Sequence, residues 1–112
     1  MSGAPGNEGW LKIVAVVKKR DDLSREEFLH EWHEVHPRLV RALPGLRQYR
    51  QNPSIEHHSA WPFDGIAELF FDSKAAIAAA YAGPEAKALF EHEERFLGEV
   101  TWSITQEREI EL

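Results

Sequence analysis

Three histidines, His30, His33 and His36, occur at intervals of three residues in the stretch HEWHEVHP. Imidazole side chains can bind a metal ion or transfer a proton near neutral pH. The zinc-binding motif HExxH instead places its two histidines four residues apart, close to one face of a helix. The spacing here spreads the histidines around the helix. A metal site would need His33 and His36 to converge with a loop histidine such as His57 or His58, and we expect no metal site.

Of these histidines, His36 is the one expected to face inward. On a helical projection it lies within the apolar stripe that contains Phe28 and Leu39, whereas His33 lies at the rim and His30 among charged residues. A buried histidine is neutral near neutral pH unless it is paired, so it can accept or donate a proton. Two interpretations remain open: a catalytic acid/base, or a core histidine hydrogen-bonded to a backbone carbonyl.

Two further candidates for acid/base chemistry lie in predicted strands. Glu68 is a carboxylate within an apolar strand, and burial would raise its pKa and suit it to proton transfer. The alternative is an ion pair with Arg47 or Arg50, or a solvent-facing edge. Tyr49 could donate a hydrogen bond to an oxyanion, or it could simply pack in the core.

The aromatic residues could line a pocket for an apolar ligand, although each could equally be an ordinary core residue. The candidate substrate-binding residues are Trp32, Trp61, Phe63, Trp102 and, beside them, His33. Trp61 and Phe63 belong to a long loop and could form a lid. His92, in the charged stretch FEHEER, is expected on the surface of a helix.

The elements that must position these residues follow the order β-α-β-β-α-β. β-branched and aromatic runs bounded by turn residues predict strands at 10–18, 46–52, 66–71 and 100–108. The first helix starts at Ser24, with Glu27 at capping-box spacing, and ends before Pro44-Gly45. Ser73 caps a second helix, which Gly83-Pro84 interrupts. This order predicts an α+β, ferredoxin-like fold: an antiparallel sheet with both helices on one face.

The predicted strands are apolar on both faces, which predicts a second surface to be covered. In the first strand Ile13 and Ala15 point one way, whereas Val14 and Val16 point the other. Two helices can cover only one face of the sheet. We therefore predict a homodimer, a dimeric α+β barrel with two sheets packed face to face; the alternative is a monomer with an apolar patch.

Composition limits the class of function. The chain of 112 residues predicts one domain, at 10–108, between a disordered segment at 1–9 and a tail at 109–112. The net charge of −6 argues against nucleic-acid binding, and no apolar run is long enough to predict a membrane span. The N-terminus does not resemble a secretion signal, and the absence of cysteine fits a cytoplasmic location. We expect no cofactor.

Several motifs together resemble the EthD family of dimeric α+β barrel proteins. They are S-x-E-E-F at 24–28, W-x-x-V-H-x-x-L at 32–39, L-P-G-L-x-x-Y at 43–49 and DGIAELFFDS at 64–73. The resemblance implies a ferredoxin-like homodimer in which His36 is the family's helix histidine. It also implies an apolar pocket for a small aromatic, lactone-like or polyketide-like ligand. Family activities include lactone methyl isomerisation, polyketide dehydration or decarboxylation, and an accessory role in ether degradation.

Three functions remain open from the sequence. The first is a cofactor-free isomerase, dehydratase or decarboxylase in which His36 moves a proton and Glu68 or Tyr49 orients it or holds the oxyanion. The second is a non-catalytic ligand-binding or accessory protein of a catabolic pathway, favoured by the lack of a nucleophile elbow or phosphate loop. The third is a structural dimer whose histidine only packs.

Overall fold

The fold is known from a computed structural model that describes residues 9–112. Its four strands, β1 to β4, span Leu11–Lys19, Gln48–Pro53, Gly65–Phe71 and Leu97–Thr105. The helices α1 to α4 span Arg25–His30, His36–Val40, Lys74–Tyr81 and Pro84–Phe96, and a π-helical turn at Glu31–Val35 joins α1 to α2. The strands form one antiparallel sheet in the order β2-β3-β1-β4. The predicted α+β, ferredoxin-like β-α-β-β-α-β fold is confirmed.

The first helix begins as its sequence predicts and then deforms. The Ser24 hydroxyl accepts a hydrogen bond from the Glu27 amide, and the Glu27 carboxylate accepts one from the Ser24 amide. Pro37 follows the π-helical turn and has no amide hydrogen to donate. In a π pattern the carbonyl of Trp32, five residues earlier, therefore has no helical donor, and it accepts instead from the Gln51 side chain on β2.

The same helix places its three histidines as the apolar stripe predicts. His36 is buried, with 5% of its surface exposed, His33 is half-buried and His30 is exposed. The π-helical turn does not disturb this order, because the buried Phe28 and Val40 anchor the two ends of the helix to the core. Helical periodicity alone is therefore enough to select the inward histidine.

Side chains on the helix-facing side of the sheet lie in rows set by the strand register. One central row consists, from β2 to β4, of Gln51, Ala67, Ala15 and Trp102. The two alanines at the middle of this row have short side chains, whereas larger residues surround them. The sheet therefore cannot fill the space below the helices at this point, and a hollow remains.

The last strand starts earlier than its sequence predicts. Helix α4 passes into β4 without a loop, and the backbone is already extended at Leu97, with φ −103° and ψ 127°. Gly98, directly after the junction, already belongs to the strand and does not form a turn. Pairing of Leu97 with Lys19 on β1 decides the boundary, and that contact is not visible in the local sequence.

The opposite face of the sheet mixes apolar and charged residues. Val14 and Val16 lie there, and the Phe70 ring is covered by the cations of Lys12 and Arg50, at 5.3 and 5.5 Å from its centroid. In residues 9–112 no helix is long and apolar enough to cross a membrane. Disorder was predicted for residues 1–9, of which residues 1–8 lie outside the described part of the chain. The cytoplasmic location stays a prediction.

Candidate active site

A cavity of about 320 Å³ lies between the sheet and the helices. Most of its lining is apolar and comes from β1, β3 and the helices. Ala15 and Ala67, in the central row of the sheet, lie in this lining. The residues of the lining that carry polar groups are His36, Tyr49, Tyr81, Glu93, Trp32 and Trp102. Within residues 9–112, no lysine or arginine contributes to the lining. The site is therefore apolar, with one carboxylate and a few hydrogen-bonding groups.

Two histidines meet at one side of this cavity. The Nδ1 atoms of His36 and His92 lie 2.9 Å apart, and the two rings are nearly parallel, with centroids separated by 5.1 Å. The Nε2 atom of His92 lies 2.8 Å from the Glu31 carboxylate. On the other side, Nε2 of His36 lies 3.6 Å from the carboxylate of Glu93. A chain of polar contacts thus runs from Glu31 through both imidazoles to the cavity wall.

The packing around this histidine pair excludes water from the contact between the rings. His36 and His92 are 5% and 8% exposed, and the fully buried Phe96 packs against both, with ring centroids at 5.2 and 4.9 Å. The expectation that His92 lies on the helix surface was therefore wrong. Its position three residues after Leu89 and four before Phe96, both buried on the same face of α4, is the signal that could have located it.

Two phenols also reach the cavity, and both remain protonated at neutral pH. Burial raises the pKa of Tyr49 to about 12, against a weaker opposing effect of the hydrogen bond from Gln51. Burial likewise raises the pKa of Tyr81 to about 12. The nearby Glu93 carboxylate raises both pKa values further, because a second negative charge beside it is unfavourable. Each hydroxyl is therefore a hydrogen-bond donor, suited to a carbonyl or oxyanion of a ligand.

Two tryptophans border the cavity in different ways. Trp32 is buried and stacks on Phe28, with ring centroids 5.4 Å apart. It fits against the sheet only because residue 65 is glycine: a Cβ atom there would lie 2.5 Å from Trp32 Cη2. Trp102 lines the cavity from the edge strand β4 and is 61% exposed, so it lies at an open side of the site.

Glu68 lies outside the cavity, on the opposite face of the sheet. Its register partners Val14 and Arg50 share that face, and its carboxylate lies 2.6 Å from Lys12 Nζ. The hydrogen bond from Lys12 is the main reason why the pKa of Glu68 is lowered, which outweighs the opposite effect of burial. The raised pKa that burial would give is therefore not found, and the ion-pair alternative describes Glu68. Lys12 makes the direct contact, the predicted partner Arg50 also lowers the pKa through its charge, and Arg47 pairs with Asp72 instead.

Three other predicted pocket residues also lie away from the cavity lining. His33 donates from Nδ1 to the Gln51 carbonyl oxygen, because the amide nitrogen of Gln51 faces the Trp32 carbonyl. Trp61 is 44% exposed in the loop at 54–64, where its indole donates to the Ile55 carbonyl at 2.7 Å. Phe63 is half-buried in the same loop. The described residues contain no group of three or more side chains placed to hold a metal ion.

The fold and the cavity define a ferredoxin-like α+β protein with an apolar cavity between sheet and helices. The family profile described as EthD domain matches residues 20–99, which is most of the chain. The chain therefore belongs to the EthD family.

Comparisons with individual proteins agree with this assignment. The chain is 28% identical over 105 residues to 4-carboxymethyl-4-methylbutenolide mutase of Pseudomonas reinekei, covering 87% of this chain and 97% of the relative. An EthD family protein from Bacillus halodurans superposes with a TM-score of 0.76 at 23% identity, over 88% of this chain and 99% of the other. A dimeric ferredoxin-like protein from Thermobifida fusca gives a TM-score of 0.72 at 14% identity, covering 93% of this chain and 97% of the other.

Proposed function

We propose that this protein binds a small, neutral, lactone-like or enol-like metabolite and catalyses a proton transfer on it without a cofactor. The observation that carries this proposal is the convergence of the His36 imidazole and the protonated Tyr49 and Tyr81 hydroxyls on one apolar cavity. An imidazole can take a proton from carbon, while a phenol can stabilise the oxyanion that forms. The similarity to a butenolide mutase supports a lactone as the substrate class.

The charge of the cavity favours a substrate without a carboxylate. The described residues that line the cavity include one carboxylate, that of Glu93, and no lysine or arginine. A carboxylate brought into this apolar space would lose hydration and meet the Glu93 charge. The relative's name contains a carboxymethyl group. We infer that this chain accepts a neutral lactone instead.

The chemistry proceeds through an enolate. His36 Nε2 takes a proton from the carbon next to the lactone carbonyl, and the electron pair moves onto the carbonyl oxygen. Tyr49 donates a hydrogen bond to that oxygen, which stabilises the charge where it develops. Return of the proton from His36 to another carbon of the conjugated system gives an isomer with a shifted double bond and restores the enzyme.

The test uses α-angelica lactone, a neutral lactone that isomerises to β-angelica lactone through an enolate. We expect the protein to accelerate the isomerisation above the buffer rate. His36→Gln should reduce the rate by about 10²–10⁴-fold and Tyr49→Phe by about 10²–10³-fold. His30→Gln, on the exposed side of the same helix, is the matched control.

The isomerisation assay also distinguishes an enzyme from a non-catalytic ligand-binding protein. Lactone binding with no isomerisation above the buffer rate, unchanged in His36→Gln, would replace the enzyme by a ligand-binding protein. A preferred turnover of the carboxymethyl-substituted butenolide over α-angelica lactone would contradict the inference of a neutral substrate.

We also propose a homodimer. Apolar residues on the face of the sheet away from the helices, Val14, Val16 and Ile66, are only partly covered within one chain, and the Thermobifida fusca relative is dimeric. Light scattering should give twice the chain mass of 12.9 kDa for the wild type. Val16→Lys should give a monomer, whereas Ala75→Lys on the exposed side of α3 should not. A monomeric wild type would contradict this proposal.

A further inference from the structure

We propose that Glu31 and His92 form a proton relay behind His36, which fixes the tautomer of His36 and exchanges its proton with solvent on the side away from the cavity. The catalytic meaning of this relay rests on the proposed function above. The tautomers that it requires do not, because they follow from contacts within the protein.

Four groups from three helical segments form the relay and its cavity end. Glu31 lies in the π-helical turn, His36 starts α2, and His92 and Glu93 are consecutive in α4. The contacts are 2.8 Å from Glu31 Oε1 to His92 Nε2 and 2.9 Å between the two Nδ1 atoms. The cavity end is a longer contact of 3.6 Å from His36 Nε2 to Glu93.

With both histidines neutral, as the proposal requires, the short contacts determine where the hydrogens lie. Two Nδ1 atoms at 2.9 Å must share one hydrogen, since two hydrogens would clash and none would leave two lone pairs facing each other. A carboxylate accepts hydrogen bonds, so His92 must present Nε2–H to Glu31 at 2.8 Å. Neutral His92 then has a bare Nδ1, and His36 must donate Nδ1–H to it. Neutral His36 is left with its Nε2 lone pair at the cavity wall.

The reverse arrangement is disfavoured by the same distances. It would give His36 an Nε2–H directed at Glu93, and it would leave the bare Nε2 of His92 against the Glu31 carboxylate. The second of these contacts places two acceptors at 2.8 Å. In the favoured arrangement the two acceptors that face each other are His36 Nε2 and the Glu93 carboxylate. They lie 3.6 Å apart, farther than a normal hydrogen bond, so their repulsion is weaker.

The relay also accounts for the proton that His36 would take from a substrate. When Nε2 of His36 gains that proton, Nδ1–H can pass to His92, and His92 Nε2–H can pass to Glu31. One proton enters at His36 and one is added to Glu31, so His36 and His92 are both neutral again. A neutral pair avoids a cation in the buried space between Phe96 and the cavity. The Glu31 side chain is 31% exposed, so it can exchange the proton with water.

The first test reads the tautomers directly, without substrate. In protein labelled with ¹⁵N in the histidine rings, long-range proton–nitrogen NMR spectra at neutral pH should show Nδ1–H for His36 and Nε2–H for His92. His36→Gln and His92→Gln assign the signals. The opposite pair of tautomers, or a doubly protonated His92, in the wild type would overturn the proposal.

A variant at Glu31 separates a relay from simple packing. Glu31→Gln can donate from its amide to His92 Nε2, which permits the reverse arrangement with His36 Nε2–H directed at Glu93. We expect the Nε2–H tautomer of His36 to appear in this variant, although residue 31 has no hydrogen bond to His36. Glu34→Gln, exposed on the same helix, is the control and should leave the tautomers unchanged. An unaltered His36 in Glu31→Gln would overturn the relay.

Kinetics with α-angelica lactone test the function of these positioning residues. Glu31→Gln and His92→Gln should lower kcat by about 10²-fold with little change in KM, because neither residue contacts the cavity. An equal loss in KM, or unchanged kcat, would overturn the catalytic part of the relay. If His36→Gln also leaves turnover unchanged, the proposed function fails. The NMR measurement of the wild-type tautomers needs no substrate and still tests the proposed positions of the hydrogens.

Discussion

The side-chain amide nitrogen of Gln51 lies 2.6 Å from the hydroxyl oxygen of Tyr49, two residues earlier on the same face of β2. The same nitrogen lies 2.6 Å from the Trp32 carbonyl, in the π-helical turn. Gln51 donates both of its amide hydrogens in these contacts, so the Tyr49 oxygen acts as an acceptor. The Tyr49 hydrogen is therefore available to a ligand in the cavity.

Removal of the Gln51 amide should destabilise the π-helical turn. Gln51→Met leaves the Trp32 carbonyl without its donor, and a polar group left unsatisfied in the interior costs about 1–3 kcal/mol. Urea denaturation should detect this loss in the free energy of unfolding. Gln48→Met, on the opposite face of β2, should change it by less than about 0.5 kcal/mol. Equal stabilities of the two variants would contradict a structural role for the amide.

The short side chains in the central row of the sheet should determine the size of ligand that the cavity accepts. Ala15→Leu places a larger side chain in the cavity, so the affinity for α-angelica lactone measured by calorimetry should fall by about 10-fold or more. Because the added side chain enters existing space, the loss in stability should be below the ~1–3 kcal/mol of an overpacked core. Ala75→Leu, on the exposed side of α3, should bind as the wild type does.

The glycine beneath Trp32 should be intolerant of a side chain. Gly65→Ala would place Cβ 2.5 and 2.6 Å from two carbons of the Trp32 indole, and the required displacement should cost about 1–3 kcal/mol of unfolding free energy. The control is a double-mutant cycle. In a Trp32→Phe background the shorter ring leaves room, so Gly65→Ala should cost at least about 0.5 kcal/mol less. Additive effects would show that the indole is not the obstacle.

Glu68 should matter for acid stability and not for turnover. Its folded pKa is lowered, so its contribution to stability is present above the ordinary pKa of glutamate and is lost as pH falls towards the lowered value. Glu68→Gln should therefore weaken the dependence of unfolding free energy on acidic pH, and lactone turnover should stay unchanged. Glu34→Gln serves as the exposed control. A large loss of turnover in Glu68→Gln would return Glu68 to the list of catalytic candidates.

Both tyrosines should resist ionisation in the folded protein. The chain has two tyrosines, and the pKa values of Tyr49 and Tyr81 are raised from 10.0 to about 12. The stability that comes from keeping the phenols neutral is present below the ordinary value of 10.0 and is lost as pH rises to about 12. Tyrosinate absorbance should thus appear late and together with unfolding. Ionisation at the ordinary pKa with the fold intact would contradict burial in the cavity.

The sequence alone determined the elements and the direction in which the key histidine points. The serine caps, turn residues and β-branched runs predict the ferredoxin-like order, and helical periodicity separates His36 from His33 and His30. These features depend on neighbours within a few residues, for which backbone geometry fixes the spacing of side chains. The EthD resemblance rests on the same local motifs.

Only the tertiary structure decided what each candidate touches. His92 meets His36 across 56 residues of sequence, and Lys12 meets Glu68 across another 56. Helical and strand periods give the face of a residue but not the residue opposite it, because that partner is set by strand register and helix packing. For this reason Lys12 was missed as the contact of Glu68, and His92 was assigned to the surface. The histidine pair became visible only when the packing of α4 against α2 brought the two imidazoles together.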